Sequence, residues 1–102
     1  MALKKNYLKG KNVCKVTFSL PKQAVKEGKK VFLVGEFNEW NGQATPMKKQ
    51  KDGSYVATLE LKTGREYQFR YCIDGGIWEN DYEADRYEFS PIANTDNSVV
   101  AV

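Results

Sequence analysis

The sequence predicts an all-β fold, an immunoglobulin-like β-sandwich of about seven or eight antiparallel strands. Three observations predict it. Apolar and polar residues alternate with period two in several segments, which marks strands with one buried and one solvated face. Those segments recur roughly every 8–14 residues with turn chemistry between them, the rhythm of a sandwich. No segment keeps a helical period for more than about two turns.

Residues 1–12 carry Lys4, Lys5, Lys9 and Lys11 against no acid. They are expected to form a basic, poorly ordered tail ahead of a domain at 13–102. In Val13–Leu20, Cys14, Val16, Phe18 and Leu20 face one way and Lys15, Thr17 and Ser19 the other, a half-buried strand. Pro21 ends it, and residues 23–30 read as a polar connection. Residues 31–37 are almost continuously apolar, as a central strand is. They run into the turn-rich Asn38, Glu39, Trp40, Asn41 and Gly42. After a short basic stretch at 47–51, Asp52-Gly53 marks a hairpin, and Tyr55, Ala57, Leu59 and Leu61 set the face of the next strand. Then Tyr67, Phe69, Tyr71 and Ile73 alternate with Gln68, Arg70 and Cys72. Asp74-Gly75-Gly76 turns the chain toward Trp78. Residues 81–89 are acidic and aromatic, 91–97 form a turn-rich loop, and 98–102 make a last apolar strand.

A chain of 102 residues fits one domain with a radius of gyration of about 13 Å. It is short for most free-standing catalytic folds. No run approaches the roughly 18 apolar residues of a membrane span. The N-terminus has no apolar stretch of the kind that opens a secretory signal, so the expected location is cytoplasmic. A net charge of +3 is too small to argue for nucleic acid. Histidine is absent, which excludes a Ser-His-Asp triad and a Cys-His dyad. Cys14 and Cys72 alone cannot build a zinc site of the usual kind; they are expected to be free, half-buried thiols. No cofactor and no metal is implied.

Trp40 and Trp78 sit in or beside polar turns rather than inside alternating strands. One reading makes them caps on the ends of the sandwich. The other makes them exposed aromatic plates. A pyranose has an apolar face that lies flat on an indole and a rim of hydroxyls for polar side chains to read. Arg70 offers a fork of donors, and Asn94 and Asn97 offer amides that both donate and accept. The plainer readings are a surface salt bridge for Arg70 and turn formation for the asparagines.

Glu79, Asp81, Glu83, Asp85 and Glu88 form an acidic stretch. Paired carboxylates are what glycoside hydrolysis needs, together with a cleft that raises one pKa. A run of charges on so small a sandwich reads instead as a solvated loop. Asp81, Glu83 and Asp85 lack the spacing and glycine of a calcium loop.

The segments VFLVGEFNEW (31–40), Thr45-Pro46-Met47, DGSYVATLEL (52–61) and YQFRYCIDG (67–75) with Trp78 resemble carbohydrate-binding module family 48. That family includes the isoamylase N-terminal (early-set) domain and the glycogen-binding domain of the AMP-activated protein kinase β subunit. EADRY and NTDNSVV resemble the end of the same domain, and the resemblance covers Val13 to Val102. It implies noncatalytic binding of α-1,4-glucan such as glycogen or starch. Trp40 and Trp78 match the family's two tryptophans, Arg70 stands at its lysine, and Thr95 and Asn97 match its end segment. The family's leucine that wedges into the helical glucan falls near Ala93, a departure. The alternative is a protein-interaction module that docks on a glucan-metabolising enzyme or on a copy of itself.

Overall fold

The computed structural model describes residues 3–27 and 29–102. Nine strands form among them: β1 (Leu3–Tyr7), β2 (Val13–Leu20), β3 (Val31–Gly35), β4 (Lys48–Lys49), β5 (Tyr55–Lys62), β6 (Glu66–Ile73), β7 (Ile77–Glu79), β8 (Arg86–Ser90) and β9 (Thr95–Ala101). One sheet has the order β1-β2-β5-β4. The other has the order β3-β6-β9-β8, with β7 also paired to β6. All pairings are antiparallel. The expected sandwich is the one observed, and its radius of gyration is 13.1 Å. No helix among the described residues is long and apolar enough to cross a membrane.

The period-two faces build the core. Cys14, Val16, Phe18 and Leu20 of β2 and Tyr55, Ala57 and Leu61 of β5 are buried against Val31 and Leu33 of β3 and Phe69, Tyr71 and Ile73 of β6. Phe18 meets Phe69 edge-on at 5.0 Å between ring centroids, and Phe69 meets Tyr71 in the same way at 5.7 Å. Such pairs add about 0.5–1.5 kcal/mol beyond the area they bury.

Four expectations are corrected. The stretch read as a loose basic tail contains an edge strand: β1 pairs along β2, Leu3 opposite Phe18 and Tyr7 opposite Cys14. Its alternation, with Leu3 buried, is short and interrupted by lysines. The polar connection after Pro21 contains a single helical turn, α1 (Lys22–Val25), which buries Ala24 and Val25. Strand β3 stops at Gly35 rather than running to 37, and a 3₁₀ turn follows at Glu36–Asn38. Cys14 and Cys72 are free, and both are buried rather than half-buried. Cys72 lies on the outer face of its sheet, flanked in register by Phe32 and Trp78.

Candidate functional site

The site grows from the end of β3. Gly35 approaches β6 so closely that an added Cβ would lie 2.6 Å from the Gln68 carbonyl oxygen and 2.8 Å from Phe69 Cβ. Only glycine fits there. The turn that follows is tied down by Asn38. Its Oδ1 accepts from the Gly35 N–H at 3.0 Å, and its Nδ2 donates to the Leu33 carbonyl and to Thr45 Oγ1. Glu39 and Trp40 then take left-handed backbone angles, φ +56° and +59°. Side chains other than glycine reach that region only where the surroundings impose it. Here the Trp40 N–H closes on the Gly35 carbonyl at 2.8 Å. Trp40 is left 38% exposed.

Because β3 ends opposite Phe69, the next amide of β6, that of Gln68, has no strand partner on this side. The Glu36 carboxylate accepts its N–H at 2.6 Å. Gln68 shares its face with Arg70, two residues on, as strand geometry requires. Across from them runs β9, paired with β6 as far as Phe69 and Ser98. Arg70 and Asn97 are the next residues along each strand. The Asn97 Nδ2 donates to Gln68 Oε1 at 2.9 Å.

Glu36, Trp40, Gln68, Arg70, Ser90, Ile92, Ala93 and Asn97 line one groove of about 310 Å³ on this outer face. Among the described residues, Arg70 Nε and Asn97 Oδ1 are buried without a hydrogen-bond partner. Polar atoms in that state are rare in folded proteins and mark strain or a ligand. Arg70 and Asn97 also line the groove beside the exposed Trp40 indole. Guanidinium donors and an amide that both donates and accepts are group types that suit sugar hydroxyls.

Trp78 adjoins the groove through Arg70. Its ring lies under the guanidinium, 5.0 Å from Cζ to centroid, and it is 44% exposed. The ion pairs of the described residues join Lys5 to Asp85 and Arg86 to Glu66 and Glu88, so the salt-bridge reading of Arg70 does not hold among them. Thr95 opens β9 opposite Ser90. It shares the face of Asn97 by register, is exposed, and does not line the groove. Asn94 does turn work: its φ is +56° and its N–H reaches the Ser90 carbonyl.

Four groove residues escaped the sequence reading: Glu36, Gln68, Ser90 and Ile92. Gln68 was legible through its period-two relation to Arg70. Ile92, wholly exposed, was marked by its apolar character in a turn-rich loop beside Pro91. The role of Glu36 depends on where β3 stops, which no local pattern announces.

The acidic stretch is not uniformly solvated, contrary to expectation. Asp81 is buried on the inner side of the sheet. Tyr71 donates to its Oδ2 at 2.6 Å and the Glu83 N–H to its Oδ1 at 2.8 Å. Burial raises the Asp81 carboxyl pKa despite these bonds, and pushes the Tyr71 hydroxyl well above its ordinary value. Asp85 accepts from Lys5 Nζ and from the Ala101 N–H.

A two-sheet sandwich bearing a shallow groove with exposed indoles and hydroxyl-matching polar atoms defines a carbohydrate-recognition module. The model of the family described as the glycogen recognition site of AMP-activated protein kinase matches residues 22–99. The chain belongs to that family. It is 40% identical over 62 residues to the 1,4-alpha-glucan branching enzyme GlgB of Aquifex aeolicus, a match covering 58% of this chain and 9% of that enzyme. It is 39% identical over 54 residues to the 5'-AMP-activated protein kinase subunit beta-2 of mouse and of human, covering 53% of this chain and 18% of each subunit. The matched segment is thus a small part of each of these relatives.

Proposed function

We propose that this chain is a noncatalytic module for α-1,4-glucan, and that the groove between Trp40 and Asn97 is where the sugar binds. The observation that carries the reading is one groove that gathers the exposed Trp40 indole with the polar side chains of Gln68, Arg70 and Asn97. Trp40 and Trp78 are the stacking platforms. Arg70 and Asn97 read hydroxyls. Ile92, on the rim beside Ala93, supplies an apolar contact from the loop side. Thr95 serves at the margin, one turn of the hairpin away. Family membership supports the glucan reading over the docking alternative, and a glucan-metabolising enzyme as an additional partner rests on resemblance alone.

The noncatalytic part is supported by the acids themselves. Asp81 faces the opposite side of the sheet from the groove, bonded to Tyr71 of the core. Glu88 is held by Arg86. A shallow site with few buried contacts supports a Kd of about 10 μM to 1 mM. Titration with maltoheptaose, followed by tryptophan fluorescence and amide NMR, tests it. Saturable shifts at Trp40, Arg70 and Asn97 are expected; an unchanged spectrum at millimolar sugar overturns the reading. Release of reducing sugar from glycogen should not exceed a buffer blank.

A further inference from the structure

A second feature lies at the other end of the sandwich, where β2 leaves and β3 enters. There α1 meets the β4–β5 hairpin around a notch of about 170 Å³. Lys22, Lys26, Lys49 and Lys51 line it, over Val25 and Tyr55. We propose that this notch binds clustered phosphate groups, independently of the sugar groove.

Three observations carry the proposal. The first is uncompensated charge. The one acid in the lining is Asp52. Its Oδ1 accepts both the Ser54 N–H at 2.9 Å and the Ser54 hydroxyl at 2.6 Å, bonds that hold its carboxyl below the usual value. It stays ionised, so the lining carries four positive charges against one negative. None of the ion pairs among the described residues involves the four lysines. Ammonium groups gathered this way repel one another, and a multiply charged anion relieves the repulsion within a Debye length of about 8 Å.

The second is preorganisation. Gly53 has φ +89°, and a Cβ there would lie 2.7 Å from Lys22 Cδ and 3.0 Å from its Cγ. The missing side chain lets the Lys22 stem rest on the hairpin. A stem already packed loses less rotamer freedom when an anion arrives.

The third is the donor type. Four lysines give compact, freely rotating point charges and no planar fork. Such a set suits the many oxygens of phosphate groups better than one carboxylate, which arginine pairs bidentately. The phosphates have two sources: a free oligophosphate, or phosphate esters carried on a sugar.

Amide NMR of the whole chain separates them. Sodium tripolyphosphate, glucose 1,6-bisphosphate and sodium sulfate are titrated at matched ionic strength. Tripolyphosphate should shift the amides of Lys22, Lys26, Lys49 and Gly53 saturably and about tenfold more tightly than sulfate. Glucose 1,6-bisphosphate binding as tightly as tripolyphosphate assigns the site to sugar esters; weaker binding assigns it to free oligophosphate. The double variant Lys22→Gln/Lys49→Gln should abolish the shifts and leave its melting temperature unchanged or higher. If that variant fails to fold, Lys26→Gln/Lys51→Gln reads the same loss. Linear, unsaturated shifts equal for sulfate and tripolyphosphate, or shifts that survive both variants, overturn the proposal. Maltoheptaose binding is unaffected in either case, so the groove and the notch fail separately.

Discussion

Arg70 lies across the face of Trp78, its guanidinium carbon 5.0 Å from the ring centroid. This stack joins the second indole to the groove, because Arg70 also lines it. A lysine keeps the charge but cannot lie flat on the ring. Arg70→Lys should therefore weaken maltoheptaose binding several-fold and alter Trp78 emission in the free protein. Arg70→Ala should cost about 1–3 kcal/mol of binding. A fluorescence titration reads both; unchanged emission in Arg70→Lys would show that the stack does not hold in solution.

Trp40 and Trp78 are 38% and 44% exposed, so each is part support and part surface. Alanine at either position should reduce glucan affinity by about 1–3 kcal/mol. The accompanying loss of stability should stay below the roughly 3–5 kcal/mol of a fully buried aromatic. Trp40 should show the larger melting-temperature change, because it is the more buried of the two. One melt and one titration per variant decide the matter.

Ile92 is wholly exposed at the groove rim and supports nothing beneath it. Ile92→Ser should change the unfolding free energy by no more than the roughly ±0.5 kcal/mol of surface substitutions. Affinity for maltoheptaose should fall nonetheless. Equal binding by the two proteins would remove this residue from the site.

The sandwich was legible because period-two alternation survives in β2, β5 and β6, the three strands that supply most of the core. Arg70 and Asn97, which line the groove, were singled out by residue type and resemblance. What hid was decided by tertiary contact. The β1 edge strand is lysine-rich, and only its pairing with β2 shows that Leu3 is buried. Glu36 gains its role because β3 stops one residue short of the Gln68 amide. Asp81 sits among exposed acids in sequence, yet folds inward onto Tyr71. No local pattern distinguishes it from Glu83.

Gly35 is extended, so its glycine is demanded by space rather than by backbone angle. A methyl group at 2.6 Å from the Gln68 carbonyl oxygen forces β3 and β6 apart where the groove begins. Gly35→Ala should destabilise the fold by about 1–3 kcal/mol and weaken glucan binding together with it. Denaturant unfolding measures the first and titration the second. Loss of stability with intact affinity would place the distortion away from Trp40 and Gln68.

The buried Tyr71–Asp81 pair sets a pH dependence whose sign follows from burial. The Asp81 carboxyl has its pKa raised in the folded chain, with desolvation the main cause. The folded state therefore holds that proton more tightly than the unfolded state does. The resulting stabilisation is fully present below the unfolded carboxyl pKa of about 4. It is lost as pH rises through the higher folded value. Asp81→Asn removes this proton-linked contribution. Measured by denaturant unfolding, the wild type should compare best with the variant at about pH 3 and lose ground toward neutrality. Tyr71→Phe provides the cross-check. It strips Asp81 Oδ2 of its 2.6 Å donor and leaves a buried carboxylate oxygen unsatisfied, at a cost of about 1–3 kcal/mol. That cost should be larger at pH 7 than at pH 3, because the ionised carboxylate needs the donor more than the neutral acid does. A Tyr71→Phe penalty that is the same at both values would mean that Asp81 keeps one protonation state across the range.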